Sequence, residues 1–182
     1  MRLRAVAIII GLWWWVAVAT ATEGHWLLVD TQERSLSVMS TAGTLAHFDN
    51  LSFGVAGVGF KQRRGDGVTP LGVFRLGWVN PNSRFTLFFG LDYPDQHHAG
   101  LGLAAGRIDQ ATYERIQRSL ALGRTPPQDT PLGGAIGIHG VGIGDPSLHG
   151  EFNWTDGCIA LSDEQIRALA PWVSVGMTVV VR

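Results

Sequence analysis

The chain has 182 residues, 46% of them hydrophobic and 16% charged, with a net charge of -1. That length and apolar content suit one globular domain and exclude a disordered chain. The near-neutral charge provides no basic field of the kind that binds nucleic acid or anionic membrane surfaces.

In chain order, Arg2 and Arg4 precede an uncharged apolar run from Ala5 to about Ala19, followed by the small-residue steps Ala17-Val18-Ala19 and Ala19-Thr20-Ala21. This is the pattern of a secretory signal peptide over residues 1–21, with the folded domain over 22–182 and a periplasmic destination. The alternative is an uncleaved N-terminal anchor, since the run approaches the roughly 17 residues that a spanning helix needs.

The exported part alternates short strands with turns. Residues 25–30 and 35–40 read as a hairpin around the polar turn Thr31–Arg34. Strand texture continues over 43–53 and 55–60, then over 72–79, 85–91, 135–139 and 177–181. Between them Lys61–Pro70, KQRRGDGVTP, reads as an exposed loop rich in charge, Gly and Pro. Asp109 is an expected N-cap for a helix over 110–122 that stops at Gly123. Ser162 and Gln165 have capping-box spacing for a helix running to about Ala170, before Pro171. The fold class expected is α+β, mainly β, with mixed or antiparallel sheets and a few short helices.

Cys158 is the single cysteine and can close no internal disulfide. It is a buried hydrophobe, half of an intermolecular bridge, or a nucleophile. His139, at the end of an apolar run with small neighbours, is either a satisfied core histidine or a proton acceptor for a thiol. Gly157, just before the cysteine, lets a substrate carbonyl come close to the backbone. A zinc site built from His97, His98, His139 and His149 with Asp145 or Asp156 is the competing chemistry. No HExxH or CxxC spacing supports it, so no metal is expected, and His97 and His98 read as solvated loop residues.

The order His139-Gly140, fifteen residues from Gly140 to Trp154, then Thr155-Asp156-Gly157-Cys158-Ile159 resembles the signature of the L,D-transpeptidase (YkuD-like) catalytic domain family. Gly67-Val-Thr-Pro-Leu-Gly72, Leu132-Gly-Gly-Ala-Ile-Gly-Ile-His-Gly140 and the closing helix and strand extend the resemblance from about Trp26 to Val181. It implies that Cys158 is the nucleophile, His139 its base, and the Gly140 carbonyl the group that orients the imidazole. The amides of Gly157 and Cys158 are then expected to form the oxyanion hole, with Thr155 bracing the loop. The implied substrate is a peptidoglycan stem peptide, the implied product a new cross-link or a hydrolysed stem, and no cofactor is required.

Asp156 stands where the family usually has His, and Ala160 where it often has a polar residue. The options for Asp156 are a contact with a substrate cation or a purely local role in the turn. A non-catalytic peptidoglycan-binding module is the remaining alternative. Arg84, Tyr93 and Arg75 are candidates to meet stem carboxylates, which arginine binds bidentately. A monomer is expected.

Overall fold

The computed structural model describes residues 24–182; the expected signal segment lies outside the described residues. Strands β1 (Trp26–Asp30), β2 (Ser35–Ser40) and β3 (Gly43–Phe48) form a meander. The first turn closes because Asp30 Oδ1 accepts the N–H groups of Gln32 and Glu33, each at 3.2 Å. Two short strands, β4 (Val58–Gly59) and β5 (Thr69–Pro70), pair in parallel on their own. Then come the long β6 (Gly72–Ser83), β7 (Thr86–Leu91), helices α1 (Gln96–Ala104) and α2 (Gln110–Ala121), and β8 (Gly137–His139). The chain ends with β9 (Ile159–Ala160), α3 (Asp163–Leu169), a 3₁₀ turn over Ala170–Trp172, and β10 (Thr178–Val181).

Eight strands make one mixed sheet in the order β3-β2-β1-β10-β6-β7-β8-β9. Only β1 with β10 and β8 with β9 run parallel. Alternate residues are buried along β1, β2 and β10, placing Leu27, Val29, Leu36, Val38, Val179 and Val181 in the core. Helix α3 covers this apolar face with Ile166 and Leu169. Its start is fixed by the expected capping box: Ser162 Oγ accepts from Gln165 N at 3.1 Å, and Gln165 Oε1 accepts from Ser162 N at 3.0 Å. A second, smaller core joins Ala99, Ile108, Ile116 and Leu132 around α1 and α2.

Two sequence expectations need correction. Residues 96–104 are a helix, capped by Asp95, rather than a loop carrying solvated histidines. His97 is exposed, but His98 is buried, stacked on Phe60 at 4.8 Å and bonded through Nδ1 to Asp95 at 2.7 Å. The segment 61–70 is not wholly exposed either. Lys61, Gly67, Thr69 and Pro70 are buried because this segment packs under the loop that carries the cysteine.

Candidate active site

His139 ends β8 and Cys158 immediately precedes β9; the parallel register sets His139 opposite Ala160, so Cys158 lies two residues back along the neighbouring strand and on the same face of the sheet. Both line a cleft of about 700 Å³. Its walls come from the overhanging half of β6, the Arg84-Phe85 turn, β7 and Trp154. Trp78, Phe85, Phe88 and Trp154 make those walls largely aromatic.

The His139 ring is nearly enclosed, with Phe85 stacked at 4.4 Å, Phe88 at 6.0 Å and Trp154 edge-on at 5.8 Å. Its Nδ1 lies 2.6 Å from the Gly140 carbonyl. A carbonyl only accepts, so Nδ1 carries the proton and Nε2 of the neutral ring is left as the basic atom. Burial depresses the His139 pKa to about 4, and the bond to Gly140 works in the opposite direction. Gly140 itself has no room for a side chain, since an added Cβ would sit 2.5 Å from Asp163 Oδ1 and 2.9 Å from the Phe85 carbonyl.

The cysteine loop is held from below. The Phe53 carbonyl accepts from Thr155 N at 3.1 Å, and the Thr155 carbonyl accepts from Val55 N at 2.9 Å. Thr155 Oγ1 donates to the Cys158 carbonyl at 2.7 Å and accepts from Gly157 N at 3.1 Å. Thr69 Oγ1 donates to the same Cys158 carbonyl at 3.3 Å and accepts from Gly54 N at 2.8 Å. One consequence departs from expectation. The Gly157 N–H, expected in the oxyanion hole, is engaged by Thr155 in this conformation.

Cys158 Sγ faces the carbonyl of Ala135 at 3.4 Å. Burial pushes the thiol up to about 11, while the nearby Gly137 amide and the Lys61 charge pull it down. Cys158 retains contact with the cleft. At neutral pH the resting pair is therefore a thiol beside a neutral imidazole, with Nε2 available to take the proton.

Arg84 and Asp156 are exposed residues on the cleft lining. The Arg84 guanidinium sits 4.7 Å above the Phe85 ring, which also stacks on the His139 imidazole. Arg75 lies elsewhere, paired with Asp92 at 3.1 Å. Tyr93 corrects a sequence expectation: it is fully buried, with its hydroxyl donating to the Leu132 carbonyl at 3.1 Å, and forms no part of the cleft. Burial raises its pKa. Tyr93→Phe is expected to cost about 1 kcal/mol in urea unfolding and to leave Cys158 alkylation unchanged, whereas a substrate-facing hydroxyl would show the reverse.

The sequence model of the YkuD family, described as the L,D-transpeptidase catalytic domain, matches residues 24–181. The chain belongs to this family. Among solved structures, the YkuD domain resembles the helical cell shape determining protein Pgp2 from Campylobacter jejuni at 23% identity and a TM-score of 0.59, covering 88% of this chain and 48% of Pgp2. It also resembles Bd1075 from Bdellovibrio bacteriovorus at 18% identity and a TM-score of 0.55, covering 90% of this chain and 50% of that one. The chain thus spans about half the length of these two structures, and the likeness at such identity is one of fold. A comparison with curated protein sequences found no match.

Among the YkuD-domain residues that sequence reasoning passed over are the aromatic walls Trp78, Phe88 and Trp154, and Ala135, whose carbonyl meets the thiol. Ala135 has φ of +51°, a left-handed conformation that alanine seldom adopts, in a turn fixed by Gln128 Oε1 accepting from its N–H at 2.7 Å.

Proposed function

We propose that this protein is an exported cysteine L,D-transpeptidase acting on peptidoglycan stem peptides. The observation that carries the reading is the placement of Cys158 and His139 on adjacent parallel strands at one cleft, with His139 Nδ1–H committed to the Gly140 carbonyl. In the first half-reaction His139 Nε2 takes the thiol proton as Sγ attacks the donor carbonyl. The C–N bond to the terminal D-Ala breaks, and His139 returns the proton to that leaving amine. In the second half-reaction an acceptor amine attacks the thioester, gives its proton to His139, and the thiol re-forms.

The Cys158 N–H is the loop donor that stabilises the oxyanion, since Thr155 engages its neighbour. Arg84 and Asp156 offer one cation and one anion to a stem that carries both carboxylate and ammonium groups. Their opposite signs on one cleft support a substrate of mixed charge.

The test is to incubate the purified protein and its Cys158→Ala variant with tetrapeptide muropeptides and to identify products by mass spectrometry. Cross-linked dimers that require Cys158 are expected. Tripeptides alone would redirect the reading to hydrolysis, and no Cys158-dependent product would sink it in favour of a binding module.

A further inference from the structure

Beneath the cysteine loop lies an ion pair that the proposed reaction does not use. The Lys61 side chain is 2% exposed and that of Asp66 12%, with Nζ and Oδ1 at 2.5 Å. Lys61 also donates to the Val68 carbonyl at 3.3 Å. Asp66 in turn accepts from the amides of Gln62 at 2.8 Å, Arg63 at 3.1 Å and Val68 at 3.2 Å, closing the 61–68 turn around the pair.

This pair sits where two further segments meet. A Cβ placed on Gly157 would lie 3.3 Å from Lys61 Nζ, and one on Gly133 would lie 3.3 Å from Lys61 Cε. The ammonium therefore abuts the residue before the nucleophile, and its stem abuts the turn that leads to Ala135. Lys61 is absent from the cleft lining, so it does not touch substrate there.

A buried ion pair is a poor way to gain stability, because desolvation of both charges offsets their attraction and an apolar pair of equal size often serves as well. Its position suggests another use. We propose that Lys61 is a positioning residue that holds the cysteine loop and supplies the positive potential that favours the Cys158 thiolate. A fixed cation beside a developing anion in a water-poor site acts with little reorganisation.

The other charged or titratable groups that face the thiol are Asp156 on its own loop, His139 across the strand pair, Arg84 on the opposite wall and Asp66 behind Lys61. Asp156 opposes the thiolate and Lys61 favours it. The inference concerns the nucleophile of the proposed transpeptidase, but its test needs no peptidoglycan, so the two stand or fall separately.

Cys158 is the only cysteine, so the pH dependence of its alkylation by iodoacetamide can be followed by mass spectrometry on the whole chain. The double variant Lys61→Met/Asp66→Asn removes both charges, and the remaining amide oxygen can still accept from Gln62 N and Arg63 N as Asp66 Oδ2 does. Its alkylation midpoint is expected to move up by about one pH unit, the size of effect a neighbouring charge has on a thiol. Asp66→Asn alone keeps the cation and strips its counter-charge, so its midpoint is expected to move down. Shifts of opposite sign in the two variants are not produced by loosened packing. An unchanged midpoint in the folded double variant overturns the proposal. So does an unchanged or raised midpoint in Asp66→Asn, which alone decides the matter if the double variant fails to fold.

Discussion

Gly157→Ala is expected to lower stability by about 3 kcal/mol and to slow Cys158 acylation by roughly 100-fold, a combination of backbone strain and misplacement of the thiol. Gly157 has φ of +123°, where an L side chain is strained whatever the space around it. Here space is lacking too. The added Cβ would fall 2.6 Å from the Val68 carbonyl and 3.3 Å from both Ile136 Cδ1 and Lys61 Nζ. The Val68 carbonyl is backbone and Lys61 is tied to Asp66, so neither yields cheaply, and the loop is displaced together with Sγ. Gly176 supplies the control. It has φ of +92° but nothing within 4 Å of an added Cβ, so Gly176→Ala carries strain without contact. Urea unfolding midpoints and single-turnover acylation of both variants measure the difference. If Gly157→Ala loses no more than Gly176→Ala in either measurement, the packing of the cysteine loop against the 61–69 segment is not what holds it.

Acidification is expected to destabilise the fold between about pH 6.5 and pH 4 through His139. Its pKa falls from 6.5 in the unfolded chain to about 4 in the fold because burial disfavours the imidazolium. The folded state thus binds fewer protons than the unfolded state across that interval, and stability rises with pH. The contribution is complete above about pH 6.5 and gone near pH 4, an interval worth about 3 kcal/mol. His149 is shifted the same way, also first by burial. The measurement is therefore a difference: the pH dependence of unfolding free energy in the native chain minus that in His139→Gln, whose amide can still donate to the Gly140 carbonyl. A difference that stays flat from pH 7 to pH 4 would refute the assignment. At the alkaline end the sign reverses, because burial raises the Cys158 thiol to about 11 from 9.0. The stability it contributes is present below about pH 9 and is lost as pH rises toward 11.

The features that were legible in the sequence are those encoded by neighbours. Asp109 caps α2 by accepting from Thr112 N at 2.8 Å, and the Ser162–Gln165 pair caps α3, as their spacing implies. The strands β1, β2 and β10 follow the alternation written in residues 26–40 and 177–181. Helix α1 was hidden because Gly100 and Gly102 interrupt it and no strong apolar face marks it. Gly102 is there for contact instead, with its would-be Cβ 2.8 Å from Leu132.

At the site, the Cys158 and His139 positions stand out in the residue pattern, and the cleft brings them together. Tyr93 misled because an aromatic with a polar tip looks the same in a core as at a surface. Lys61 and Asp66 misled for the converse reason. Two opposite charges five residues apart in a Gly-rich run have the composition of a solvated turn, and only the tertiary packing of Gly133 and Gly157 encloses them.

The pairing of β8 with β9 separates two jobs along the chain. The ladder, with His139 opposite Ala160, fixes where Cys158 and His139 stand relative to one another, and nothing in that ladder depends on the length of the connection that leaves Gly140 and returns at Trp154. The exposed stretch Asp145–Leu148 on that connection is consequently a port for engineering. Recognition peptides can be grafted there to redirect the proposed transpeptidase among acceptors while the register of the two strands, written in three residues of one and two of the next, stays as it is.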